Sequence, residues 1–370
     1  MTFTACRISP PRSRRSPRTC STARGGGFER ARPDGLRLDA VKHVPLDFWA
    51  RFNGAPELVG RLRLGELLDG DPSEVARTWT KGGFTAMFDF PLGFAIADVF
   101  CRGESPAKLA AVLTNDRRYP DPTSLVTLVD NHDLPRIVSV CGKDEAKVAE
   151  ALTFLLTARG VPSLTWGTEV GLDGEKEPDN RRSMRFVDHP FRALIATWLA
   201  ARGERASLRD GATLILEATE KKLVVARVAA AEASVVYVNH TGAATTAALL
   251  DGQARPDVEP VPVGVTVRTV AGDFSALRAR AEREWKGLEL REVTFDGEGH
   301  VVGSGPELGD WMPEKAVRLP VTLKLPVGGV FEFKRLTREG AAVKWEPGAN
   351  RLLTVTAGEA PLHVSLAPRG

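Results

Sequence analysis

Arg37 and Asp39 stand two residues apart in the stretch Asp34-Gly35-Leu36-Arg37-Leu38-Asp39-Ala40-Val41-Lys42-His43. Leu36, Leu38 and Ala40 alternate there with Arg37, Asp39 and Val41, and a period of two is that of a strand. The Arg and the Asp therefore leave one face. Two readings fit a charged pair on so apolar a strand. One is a buried structural ion pair. The other is a carboxylate kept ionised for chemistry by a neighbouring guanidinium. Two more acid-bearing strand ends follow. Glu66 lies in Leu64-Gly65-Glu66-Leu67-Leu68-Asp69-Gly70, and Asp130-Asn131-His132-Asp133 closes the apolar run 124–130. Carboxylates at the ends of three separate strands are how a parallel barrel builds a site. Two or three carboxylates without a metal motif point first to glycoside hydrolysis. That reaction needs one ionised nucleophile and one acid of raised pKa. Asp39 beside Arg37 suits the first role. Glu66, with no cation following it in its own strand, suits the second. Asp69 and Asp71 lie in a Gly/Pro turn and read as turn formers. Asp130 reads as a loop-ordering residue, and Lys42 taken alone as a solvated strand-end charge.

The elements that must position these groups follow from periodicity. Strands are expected at 35–41, 61–67, 84–90, 124–130 and 162–167, separated by helical stretches such as 144–159. This alternation implies a parallel sheet or barrel. From about residue 204 short alternating runs imply a small antiparallel β-domain, to about 271. A charged helix within 272–290 reads as a connector, and β signals return over 291–370.

Composition narrows the classes. The chain has 370 residues, 43% hydrophobic and 26% charged, with a net charge of +3. That charge is too small to argue for a nucleic-acid partner, and residues 1–30 alone hold seven Arg against one acid. This Arg/Pro/Ser/Gly-rich tail is expected to be disordered. No apolar run reaches about 18 residues, so no membrane span is expected, and no signal-peptide core stands at the N-terminus. Cys6, Cys20, Cys101 and Cys141 show no metal spacing and no disulfide framework. The sequon Asn239-His240-Thr241 carries little weight.

Three motifs, DGLRLDAVKH (34–43), GELLDGDP (65–72) and LVDNHD (128–133), resemble ordered signature regions of the α-amylase family of glycoside hydrolases. The intervals of 27 residues from Asp39 to Glu66 and 67 from Glu66 to Asp133 fit that family. GVPSLTWGTEVGL (160–172) resembles its eighth strand and PDNRRSMRF (178–186) a following loop. The resemblance implies an α/β fold, a (β/α)8 barrel of which residues 31–203 supply strands four to eight. It implies Asp39 as covalent nucleophile, Glu66 as general acid/base and Asp133, beside His132, as a transition-state stabiliser gripping sugar hydroxyls. Arg37 would orient Asp39, and Lys42 and His43 would line the leaving-group side. Calcium is implied as a cofactor, with a backbone contribution from His43, although most of the family's calcium ligands have no counterpart.

The segment 291–370 carries Gly303-Ser304-Gly305-Pro306-Glu307-Leu308-Gly309-Asp310-Trp311, Val330-Phe331-Glu332-Phe333-Lys334 and Val343-Lys344-Trp345-Glu346, ending Asn350-Arg351. It resembles the family 20 starch-binding domain, an all-β sandwich. Trp311 and Trp345 would stack glucose rings, because a flat indole matches the apolar face of the sugar, while Lys334 and Asn350 would bond its hydroxyls. The implied partners are starch, glycogen or maltooligosaccharides, bound by a monomer. The implied activity is retaining hydrolysis of α-1,4-glucosidic bonds. A transglycosylase of the cyclodextrin glucanotransferase type shares these signatures, but Leu46 and Leu67 stand near the positions where such enzymes carry aromatics. Strands one to three of the barrel have no counterpart, so a non-catalytic starch-binding chain is the alternative from another class. Family members are usually secreted, which implies an extracellular setting.

Overall fold

A computed structural model describes residues 33–246, 260–339, 342–367 and 369. The expected disordered tail, residues 1–30, lies outside them. The chain divides into two compact units. The division falls within 31–203.

The first unit comprises residues 33–94, 118–128 and 160–163. Its strands β1 (Gly35–Leu38), β2 (Leu62–Gly65), β3 (Ala86–Asp89), β4 (Val126–Thr127) and β5 (Val161–Pro162) form one parallel sheet in sequential order. Each lies inside or beside a run expected from the sequence, but β4 and β5 are only two residues long. Helices α1 (Leu46–Asn53) and α2 (Pro72–Gly82) follow β1 and β2. The start of α2 is specified locally. Asp71 accepts from Ser73 N at 2.8 Å, Pro72 occupies the first turn, and Gly83 ends the helix at φ 69°; each residue does there what its backbone chemistry favours. Leu36, Leu38, Trp49, Val75, Trp79 and Met87 form the core beneath the sheet. Gly65 is required by close packing, since a Cβ there would lie 2.7 Å from Met87 Sδ.

The second unit comprises residues 95–117, 129–159 and the described residues of 164–370. It holds helices α3 (Ala107–Thr114), α4 (Glu145–Thr157) and α5 (Pro190–Glu204). Asp144 caps α4, accepting from Ala146 N at 3.0 Å and Lys147 N at 3.2 Å. Strands β6 (Ala212–Ala218), β7 (Lys222–Val228), β8 (Glu232–Asn239) and β9 (Gly264–Ala271) make an antiparallel meander, followed by α6 (Ser275–Trp285). The Asn239 amide donates to the carbonyls of Ala243, Val261 and Pro262, and its oxygen accepts from Thr241, so the sequon asparagine is a structural turn residue.

Two further sheets close the unit. One is formed by β10 (Leu290–Asp296), β13 (Val321–Pro326) and β17 (Leu362–Ser365). The other is formed by β11 (His300–Gly303), β12 (Val317–Arg318), β14 (Val330–Glu339), β15 (Ala342–Trp345) and β16 (Arg351–Thr354). Val293, Phe295, Leu325, Phe331 and Phe333 interdigitate between them, as in a sandwich. This sandwich sits firmly on α3. Arg117 makes a bidentate pair with Glu307 at 2.7 and 2.8 Å, and Val330 N donates to Thr114 Oγ1 at 2.9 Å.

One expectation is overturned. Cys101 and Cys141, read as outside any disulfide framework, are bonded to each other. Cys101 ends the helical turn Ala97–Cys101 and Cys141 follows the short helix Ile137–Val140. Folding brings together two thiols 40 residues apart, a separation with no spacing signature. Among the described residues no helix is long and apolar enough to cross a membrane.

Candidate active site

β1 and β2 run in register, Arg37 opposite Leu64 and Leu38 opposite Gly65. Their pairing extends beyond the strands, because Glu66 N donates to Leu38 O at 2.9 Å and Val41 N to Glu66 O at 3.1 Å. Asp39 and Glu66 are thereby fixed as neighbours at the carboxyl ends of adjacent strands. The chain leaves Asp39 through Ala40, which takes a left-handed conformation (φ 51°), and enters a tight turn pinned by Trp49 Nε1 on Val41 O at 3.1 Å. A non-glycine residue in that region costs about 1 kcal/mol or more, and such strain clusters where side chains must be aimed.

Arg37 joins the two carboxylates. Its Nη1 lies 3.3 Å from Asp39 Oδ1 and its Nη2 lies 2.5 Å from Glu66 Oε2. The sequence placed no cation with Glu66 because the cation comes from the adjacent strand. Glu66 is 7% exposed. Burial pushes its carboxyl up, the hydrogen bond to Asp39 pushes it further, and Arg37 opposes both; the outcome is a pKa of about 7. The folded chain therefore holds the proton more tightly than the unfolded chain. Stability contributed by this group is present below its unfolded pKa and is lost as pH rises through about 7. Glu66→Gln is accordingly expected to gain stability relative to wild type at pH 8 compared with pH 4. Thermal unfolding at both values checks this, and an equal difference at both would refute it.

Lys42 and His43 are exposed on the turn after Asp39. Lys42 Nζ pairs with Asp69 Oδ2 at 2.9 Å, and Asp69 Oδ1 also accepts from Asp71 N at 3.0 Å. The reading of Asp69 as a turn former thus omitted its ion pair across 27 residues.

Asp133 and His132 belong to the second unit. Asn131 Oδ1 accepts from Asp133 N and Leu134 N at 2.8 and 2.9 Å, which shapes the turn. His132 Nε2 lies 3.3 Å from Asp133 Oδ2, and Arg181 Nη2 lies 2.7 Å from Asp133 Oδ1. Asn180 Nδ2 donates to the carbonyls of His132 and Leu134, both at 3.0 Å. Asn180 and Arg181 went unassigned in the sequence. Their signal was the tract 178–186, whose contact with the NHD turn only folding supplies. Asp130 is buried, accepts from Ile137 N at 2.9 Å and faces the buried Arg136. It orders the loop.

In the sandwich, the Trp311 and Trp345 rings lie 6.5 Å apart with 37° between their planes. Trp345 is 38% exposed. Asp310 and Trp311 both take left-handed backbone, φ 51° and 61°, held by Asp310 N on Gly305 O and Trp311 N on Gly303 O. Two consecutive strained non-glycine residues set the direction of the indole. Lys334 Nζ donates to Gly348 O at 2.7 Å, bracing the loop that follows Trp345. Asn350 is exposed on that loop and bonds the Glu332 carboxylate.

Residues 28–194 match the α-amylase catalytic-domain family, and residues 289–365 match the starch-binding-domain family. The chain thus carries an α-amylase catalytic-domain segment followed by a starch-binding domain. It is 36% identical over 190 residues to a Beta/alpha-amylase of Paenibacillus polymyxa, covering 48% of this chain and 15% of that protein. It is 33% identical over 153 residues to Alpha-amylase 2 of Schizosaccharomyces pombe, covering 41% and 26%. The solved α-amylase of Geobacillus thermoleovorans, complexed with acarbose, superposes at a TM-score of 0.59 with 27% identity over 70% of this chain and 61% of that one. The chain thus spans less than two thirds of each. In this family the sheet β1–β5 is part of a (β/α)8 barrel. Among the described residues no group of three or more His, Cys, Asp or Glu could hold a metal ion. The implied calcium ligand, the His43 backbone, therefore has no such side-chain cluster beside it among the described residues.

Proposed function

We propose that this chain hydrolyses α-1,4-glucosidic bonds of starch and related glucans with retention of configuration. The observation that carries this reading is the Asp39–Arg37–Glu66 cluster. Asp39 and Glu66 share one guanidinium and a hydrogen bond, which leaves between them no place for the water that an inverting enzyme fits across roughly 6.5–9.5 Å. Both touch Arg37, but their environments differ: the Asp39 side chain is partly exposed, while Glu66 is buried with its pKa raised to about 7. Asp39 attacks the anomeric carbon as its bond to the glycosidic oxygen breaks, and Glu66 gives its proton to that oxygen. Ionised Glu66 then takes a proton from water. The water attacks the anomeric carbon and releases the Asp39 carboxylate. Asp133 and His132 hold sugar hydroxyls, while Lys42 and His43 border the leaving group. Because Glu66 must start protonated, turnover is expected to fall as pH rises through about 7.

Trp311 and Trp345 give the sandwich its glucan platform, supported by Lys334 and Asn350. Trp345→Ala is expected to weaken starch binding by roughly 10- to 100-fold, the scale of losing a central Trp contact; a starch pull-down measures it, and unchanged retention would remove Trp345 from the site. We place the chain outside the cytosol, a reading supported by the Cys101–Cys141 bond.

The test of the enzymatic reading is a soluble-starch assay of this chain with the anomeric form of the first product read by NMR. An α-anomer is expected. No hydrolysis above that of Asp39→Asn, with starch retention that disappears in Trp345→Ala, would leave a starch-binding protein and reject the enzyme.

A further inference from the structure

A cleft of about 400 Å³ opens where the sandwich meets α3 and the β6–β7 turn. That is the size of a small-ligand pocket. Glu332, Asn350 and Leu352 stand on its sandwich side. Glu104 and Ser105 lead into α3, and Lys221 lies in the β6–β7 turn.

Strand alternation places Glu332 there. In β14 Phe331 and Phe333 enter the sandwich core, so Glu332 and Lys334 leave its other face, about 7 Å apart along the strand. Lys334 bonds Gly348 O. Gly348 and Asn350 also line the cleft, so the loop after Trp345 is a wall common to the indole pair and the cleft. Asn350 bonds the Glu332 carboxylate. A carboxylate can accept about four hydrogen bonds, so capacity remains. Burial raises the Glu332 pKa; Glu104 adds to the effect, and Lys108 and Asn350 oppose it.

The opposite wall is braced before any ligand arrives. Ser105 Oγ accepts from Ala107 N at 3.3 Å and donates to Thr219 O at 3.5 Å, tying the start of α3 to the turn. Thr219 Oγ1 accepts from Lys221 N at 3.3 Å and Lys222 N at 2.9 Å. Such a wall costs little further ordering on binding.

The lining selects the ligand. Glu104, Glu220 and Glu332 against Lys221 repel an anion. Among the described residues no trio of acids is placed to hold a metal ion. So polar a wall offers little to an apolar molecule. Donors beside acceptors, with Leu352 as an apolar patch, suit a neutral polyol whose hydroxyls both give and accept. We propose that the cleft is a glucan subsite, in which the strand leaving Trp311 and Trp345 passes Asn350 and sets its hydroxyls between Glu332 and Lys221. This subsite rests on the indole pair being a glucan platform, and it is independent of catalysis.

The test is isothermal titration calorimetry with maltose and maltoheptaose, on this chain carrying Asp39→Asn so that the ligand survives. Lys221→Ala and Glu332→Gln should each weaken maltoheptaose about 3- to 10-fold, the scale of one hydrogen bond, and leave maltose, which the indoles can hold alone, unchanged. If Glu332→Gln does not fold, Lys221→Ala still decides. Unchanged maltoheptaose affinity in Lys221→Ala, or an equal loss of both sugars in both variants, would overturn the subsite. Trp345→Ala separates the two readings. Maltose binding lost there, with the other variants silent, keeps the platform and removes the subsite. Maltose binding intact there removes the platform and the subsite with it.

Discussion

Asp39→Asn is expected to lower starch hydrolysis by roughly 10⁴-fold or more, with folding and starch retention unchanged, because a covalent route does not survive loss of its nucleophile. Asn has nearly the same shape and can still meet Arg37, so the loss would be chemical. The substitution has a second effect with its own sign. Asp39 raises the Glu66 pKa by hydrogen bond and by like charge. Removing that charge should therefore lower the pKa of Glu66 and shift the residual pH profile toward acid. Initial rates on soluble starch from pH 4 to 9, with unfolding midpoints as the control for folding, measure both. A rate within tenfold of wild type would exclude Asp39 as nucleophile.

The second large effect concerns the bond that the sequence reading missed. Cys101–Cys141 closes a loop of 40 residues. Constraining the unfolded chain over such a loop is worth about 4 kcal/mol on the chain-entropy account. The double substitution Cys101→Ser, Cys141→Ser should lower unfolding stability by about that amount in urea titration, and a reductant should do the same to wild type. The loop contains Asp130, Asn131, His132 and Asp133. Loosening it is expected to cost activity below the unfolding midpoint as well. Identical urea midpoints for oxidised wild type and the double variant would show that the bond contributes nothing.

The site was legible where strand periodicity and residue type coincided. Asp39 and Glu66 could be read as strand-end carboxylates, and β1 and β2 do place them side by side. What escaped was whatever depends on register or distance. Arg37 reaches Glu66 because β1 and β2 pair Arg37 with Leu64, a fact of the ladder and not of either strand. Cys101 and Cys141, Arg181 and Asp133, and Lys42 and Asp69 are separated by 40, 48 and 27 residues, with nothing local to announce them. The strands β4 and β5 were expected at seven and six residues but pair over two, because an apolar run records burial and not hydrogen bonding.

The contact between the starch-binding sandwich and α3 bears on how a polymer would be handled. A module on a long flexible linker raises the local concentration of its ligand and searches all directions. Here Arg117 grips Glu307 with both guanidinium nitrogens, Thr114 bonds Val330, and only residues 286–289 separate α6 from β10. Such a module acts as a fixed guide. Its indole pair would impose a heading on a captured glucan strand, so that lengthening or softening the 286–289 connection should matter less than breaking the Arg117–Glu307 clasp.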